Sequence, residues 1–121
     1  EFYKAAIIEY QRAISEYQGF SPIFINKLAK THFITKEFNK AETILKKSLN
    51  YYPMFHSTLV SMGELYFNTG NIEKSRDFYK RAIQINPFNP YVHTRLITIY
   101  KKLENKKEEE LQKKLFKYID R

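Results

Sequence analysis

HSTLVSMGELYFNTGNIEKSRDFYKRAIQINPFN, residues 56–89, holds two amphipathic stretches around one turn. Leu59, Met62, Gly63 and Tyr66 recur at steps of one, three and four and predict a helix over 56–68. Ser75, Phe78, Tyr79, Ala82 and Ile83 predict a second over 72–85. Thr69-Gly70-Asn71 separates them, and Gly70 is free to take the left-handed conformation that closes a helix. Asn86-Pro87 ends the pair, because proline lacks the N–H and clashes with the preceding turn.

The stretch has copies on both sides. Aligned with Pro22–Phe55, it places Leu28 over Met62, Ala29 over Gly63, His32 over Tyr66, Leu45 over Tyr79, Ser48 over Ala82 and Pro53 over Pro87. A further copy from Pro90 puts Leu96 and Tyr100 in the same columns. The period is about 34 residues. A helical hairpin of that length cannot bury its apolar side alone, so it must stack, and stacking builds a continuous surface. Gly63 and Ala82 are small where the two helices of the hairpin are expected to cross closely, with Tyr66 and Tyr79 filling the gaps beside them.

The remaining helices follow from the same periodicity. Over 2–17, Tyr3, Ala6, Tyr10, Ala13 and Tyr17 share a face, and Gly19 with Ser21-Pro22 marks the break. Residues 22–35 carry Ile25, Leu28, Ala29 and Phe33 inward, and residues 38–51 carry Ala41, Ile44, Leu45, Ser48 and Leu49. Helices over 90–103 and about 107–120 complete the array. In the last of these, Leu111, Leu115, Tyr118 and Ile119 are expected to form the inner stripe, with a Lys- and Glu-rich outer face. The domain organisation expected is a half repeat over 1–21, repeats over 22–55 and 56–89, and a degenerate or capping repeat over 90–121. Because the first helix reads as the second half of a hairpin, the chain is expected to be a piece of a longer protein.

These residues resemble the tetratricopeptide repeat family. Its pattern is a bulky residue, Leu-Gly and Tyr in the first helix, then Ala, an aromatic, Ala and Pro through the second. In 56–89 this reads Leu59, Met62-Gly63, Tyr66, Ser75, Tyr79, Ala82 and Pro87, and in 22–55 Ile25, Leu28-Ala29, His32, Ala41, Leu45, Ser48 and Pro53. In 90–121 only Leu96 and Tyr100 match well, and Glu109, Lys113 and Phe116 break the second-helix columns. The resemblance implies an all-α, right-handed α-solenoid of antiparallel hairpins whose first helices line a concave groove.

Carried onto this chain, the resemblance places Ile23, Asn26, Lys27, Lys30, Phe33 and Ile34 along the groove in one hairpin. Ser57, Val60, Ser61, Glu64, Phe67 and Asn68 follow in the next, and Tyr91, Thr94, Arg95, Thr98, Lys101 and Lys102 in the last. It implies a scaffold or adaptor for another protein or peptide segment. Five basic residues against one acid suit an extended acidic partner: cations pair carboxylates, Asn26 hydrogen-bonds a peptide backbone, and Phe33, Phe67 and Tyr91 take apolar side chains. The positions of the clamp that binds acidic chaperone tails hold Asn26, Lys30, Ser61, Tyr91 and Arg95; only Arg95 has the clamp identity, so that function is not expected. A homodimer through Phe2, Ala6, Tyr10 and Ala13 is a second expectation, since a bare apolar face finds another one.

Composition narrows the alternatives. With 3 Gly, a hairpin-rich β fold lacks its turn residues, and with no Cys there is no thiolate chemistry. His32, His56 and His93 have no second ligand at helical spacing, so no metal and no cofactor are expected. Neither a phosphate loop nor a nucleophile motif is present, so no enzyme is expected. Net charge is +8, and Lys101, Lys102, Lys106, Lys107, Lys113, Lys114 and Lys117 crowd the C-terminal hairpin. A nucleic acid or an anionic surface is therefore the alternative partner. Against it, Glu104 and Glu108–Glu110 interleave with the lysines, Glu110–Lys114 being one such pair. No run reaches the ~18 apolar residues of a membrane span, and no leader is visible, which leaves a cytoplasmic setting as the expectation.

Overall fold

The computed structural model describes residues 2–16 and 21–119, and its described residues form seven α-helices and no strand. They are α1 (Phe2–Glu16), α2 (Pro22–Ile34), α3 (Phe38–Tyr51), α4 (His56–Asn68), α5 (Ile72–Ile85), α6 (Pro90–Lys102) and α7 (Lys106–Ile119). Successive helices pack as hairpins α2–α3, α4–α5 and α6–α7, with α1 on α2 and with α2 also meeting α4. The result is the all-α solenoid of stacked hairpins that the repeat implies.

Local chemistry starts and stops each helix. Pro22 and Pro90 open α2 and α6, where a missing N–H costs nothing. Asn71, Asn89 and Asn105 each turn a side-chain oxygen onto a backbone N–H of the following helix, of Lys74, Tyr91 and Glu108. The turn inside each hairpin is the same three times. Lys36, Gly70 and Glu104 lie one repeat apart, with φ of 63°, 89° and 55°. The next residue's N–H then bonds back to the helix: Glu37 to His32 O, Asn71 to Tyr66 O and Asn105 to Tyr100 O, at 2.8–2.9 Å. The sequence announced this turn only where it carries glycine.

Two apolar clusters make one core. Ala29, Ala41, Leu45, Met62, Leu65 and Tyr66 join α2, α3 and α4. Leu59, Tyr79, Ala82, Val92, Leu96, Ile99 and Tyr100 join α4, α5 and α6. Leu49 and Phe78 pack against both. The buried hydroxyl Ser75 Oγ donates to Gly63 O at 2.7 Å, tying α5 to α4 where they cross.

Two expected faces are corrected. In α7, Leu111 and Leu115 are 50% and 42% exposed and Tyr118 is exposed, whereas Glu109 and Gln112 are buried and Phe116 and Ile119 half-buried. The repeat register, which puts 109, 113 and 116 in the inner columns, outweighs the helix's own apolar stripe. Gln112 is held there by a hydrogen bond to His93 Nδ1, and His93 Nε2 donates to Pro87 O at 2.7 Å. Glu110 pairs with Lys113 rather than Lys114, and Lys113 also bonds Glu109 at 2.8 Å. In α1, Tyr3 is exposed, and Ile7 and Ile14 join Ala6, Tyr10 and Ala13 as half-buried residues. Tyr17 and Gly19 lie outside the described residues.

Candidate functional site

The first helices of the hairpins, α2, α4 and α6, carry the site. Between α2 and α4 lies a cavity of about 580 Å³. Its α2 wall is Ile23, Asn26, Lys27, Lys30, Phe33 and Ile34; its α4 wall is Ser57, Val60, Ser61 and Glu64; Tyr91 closes it from the start of α6. Ala29, Ala41, Leu45, Phe55 and Leu65 also line it, so its bed is apolar. Ser57 and Ser61 are small where α4 turns toward α2, which leaves the space open. The structure thus brings Asn26, Lys27, Lys30, Phe33, Ser61, Glu64 and Tyr91 together. Phe67, Asn68, Arg95, Thr98, Lys101 and Lys102 do not line this cavity.

The two walls differ in charge. Lys27 and Lys30 are exposed and have no carboxylate partner among the described residues. Glu64, the cavity's acid, is saturated: Oε2 accepts from Tyr79 OH at 2.8 Å and from Tyr91 OH, and Oε1 accepts from Asn68 Nδ2 at 3.1 Å and Arg95 Nη2 at 3.2 Å. Burial alone would raise the Glu64 pKa, but the Tyr91 and Tyr79 hydroxyls, the Arg95 charge and Asn68 together bring it below the ordinary value. The same burial and carboxylate push the Tyr79 hydroxyl well up.

Arg95 was expected to offer its charge to a partner. Instead its guanidinium lies 4.3 Å from the Phe67 ring centroid, 5.3 Å from that of Tyr91, and donates through Nε to Tyr91 OH at 3.0 Å. With Glu64 it forms an internal latch joining α4, α5 and α6. Phe67, half-buried, packs against the core on one side and meets Arg95 on the other. Sequence spacing could not show this, because the partners come from three helices.

Asn26 is the end of a polar chain. Thr58 Oγ1 donates to its Oδ1 at 3.1 Å, and Ser48 Oγ lies 3.4 Å from Thr58 Oγ1. Its Nδ2 is buried and has no partner among the described residues. A buried amide donor left over at a cavity wall is uncommon.

The histidines sit in structural bonds. His32 Nδ1 meets Glu37 Oε1 at 3.2 Å; His56 Nδ1 donates to Ala82 O at 3.0 Å and its Nε2 accepts from Asn89 Nδ2 at 3.1 Å. No group of His, Cys, Asp and Glu among the described residues is placed to hold a metal ion. A second hollow, of about 670 Å³, lies outside the groove between α1 and α3, beside Ile7, Ile8, Lys40 and Ile44. No described helix is long and apolar enough to cross a membrane.

Comparison with known proteins supports the repeat and the fold. A family model for the tetratricopeptide repeat matches residues 56–89. No curated protein matches the sequence. Among solved structures, MamA AMB-1 is 18% identical with a TM-score of 0.76, over 94% of this chain and 62% of that one. A MamA RS-1 double mutant is 13% identical with a TM-score of 0.84, over 98% and 66%. A chain of the CopN–Scc3 complex is 15% identical with a TM-score of 0.74, over 78% and 56%. This chain therefore spans less than two thirds of these proteins, and at such identities the likeness is one of fold. Residues 56–89 thus match a tetratricopeptide repeat, and the hairpins on either side stand in register with it.

Proposed function

We propose that the chain is a non-catalytic scaffold that holds an extended, acidic segment of a partner protein across α2 and α4. One observation carries this: Lys27 and Lys30, with no carboxylate partner among the described residues, stand on the wall of an apolar cavity whose acid is already saturated by internal donors. Stacked repeats present concave surfaces of this kind to partners. The CopN–Scc3 complex, by its name an assembly of two proteins, shares the fold and is consistent with the reading.

The test is affinity capture from nuclease-treated lysate of the source cells, with the chain beside its Lys27→Glu/Lys30→Glu variant. Proteins held by the first and lost by the second place the partner in the groove. Identical captures move binding to the outer faces. Loss of all capture on nuclease treatment makes the basic α6–α7 hairpin and nucleic acid the better account.

Self-association through α1 is a second reading, favoured by Phe2 and Ile8, 77% and 62% exposed. Ala6, Tyr10 and Ala13 are half-buried, so Phe2, Tyr3 and Ile8 are the residues that would carry it. A sedimentation coefficient that does not rise with concentration, or rises equally in Phe2→Ser/Ile8→Ser, argues against it.

A further inference from the structure

We infer that the groove reads the position of acidic residues in its ligand and accepts them on one side of an apolar anchor only. The inference rests on the groove reading above. On the α2 side, Lys27 and Lys30 are free to meet a carboxylate. On the α4–α6 side, Glu64 already takes the Tyr79 and Tyr91 hydroxyls, the Asn68 amide and Arg95. A ligand carboxylate arriving there meets a like charge whose donors are spent. It loses its water without gaining a partner, which disfavours binding. Arg95 does not compensate, because Glu64 and Tyr91 engage it and Phe67 lies under its plane.

Between the two sides lies the apolar bed, with Phe33, Val60 and Leu65 on its walls and Leu45 among its lining. It suits one bulky aliphatic or aromatic side chain. Packed helices stand about 8–10 Å apart, and an extended chain advances about 3.3 Å per residue. The ligand is thus an extended peptide with a bulky apolar residue and an acidic pair about two to four residues away on one side. The corresponding positions on the other side are free of acid.

Three labelled synthetic peptides of equal length, composition and net charge test this. All carry one central Leu. The first has two Asp before it, the second two Asp after it, and the third one Asp on each side. Fluorescence anisotropy with the whole chain at moderate ionic strength gives each Kd. One of the one-sided peptides, whichever suits the direction of the bound chain, is expected to bind about 10-fold tighter than the two-sided one. In Glu64→Gln, shown to be folded by circular dichroism, the two-sided peptide should tighten until the gap falls below about 3-fold. Lys30→Glu should weaken the one-sided peptide about 10-fold. Equal Kd values for all three peptides on the natural chain overturn the inference without any variant and leave the groove reading standing. A gap that Glu64→Gln leaves unchanged also overturns it. If no peptide binds the natural chain, the groove reading falls and the inference with it.

Discussion

Gly63 lies flat against the ring of Tyr79: a Cβ at Gly63 would stand 2.7 Å from both Cδ1 and Cε1 of that ring. Tyr79 is fully buried, so its ring has nowhere to retreat. The first hairpin solves the same crossing with Ala29 and Leu45, one cluster and the same two columns. Size is traded across the pair.

Gly63→Leu should therefore destabilise by about 1–3 kcal/mol through overpacking. Gly63→Ala should cost less, and Tyr79→Leu in that background should recover part of the loss by restoring the pairing of the first hairpin. Thermal melts of the three proteins check this; an unchanged Tm in Gly63→Leu contradicts it.

Lys36 and Glu104 hold left-handed backbone that Gly70 adopts at no cost. Lys36→Gly and Glu104→Gly are each expected to stabilise by up to about 1 kcal/mol, and Gly70→Ala to destabilise by about as much. Urea unfolding midpoints read both signs.

Glu37 is held down to about pKa 2 from an ordinary 4.5 by hydrogen bonds from Lys40, then Thr35, then His32. The unfolded carboxyl takes up its proton first as pH falls. The stabilisation is thus complete above about pH 4.5 and is lost as pH falls toward 2. Glu37→Gln should separate from the natural chain at neutral pH and converge with it near pH 2. Profiles of unfolding midpoint against pH that run parallel would contradict this.

On α7, Leu111→Ser and Leu115→Ser should each change stability by less than about 0.5 kcal/mol, as exposed residues do. Gln112→Ala leaves buried His93 Nδ1 without its donor and should cost about 1–3 kcal/mol. The opposite ranking in thermal melts would restore the inner stripe that the sequence suggests.

That contrast shows what was legible. In α3 and α5, the apolar stripe and the repeat columns coincide: Ala41, Leu45 and Ser48, and Ser75, Tyr79 and Ala82, are all buried. Either signal alone finds the inner face. In α7 the two diverge, because periodicity reveals that a helix has an apolar face, while the hairpin's geometry decides which face turns inward. The register placed Asn26, Lys27, Lys30, Phe33, Ser61 and Glu64 on one side, and they line the cavity; it placed Phe67 and Asn68 there too, and they do not. The engagement of Arg95 by Glu64 and the chain from Ser48 through Thr58 to Asn26 did not follow from the register, because each joins side chains far apart in sequence.

Leu49 and Phe78 touch both halves of the core, and that sharing governs how the molecule comes apart. A linear array unfolds from its ends unless neighbours are coupled. Here the central hairpin is coupled on both sides, while α1 contributes no fully buried residue. Amide exchange should accordingly be fastest along α1 and slowest along α4 and α5. A ligand lodged between α2 and α4 would bolt the first hairpin to the middle one, slowing exchange in α2 and leaving α7 as it was.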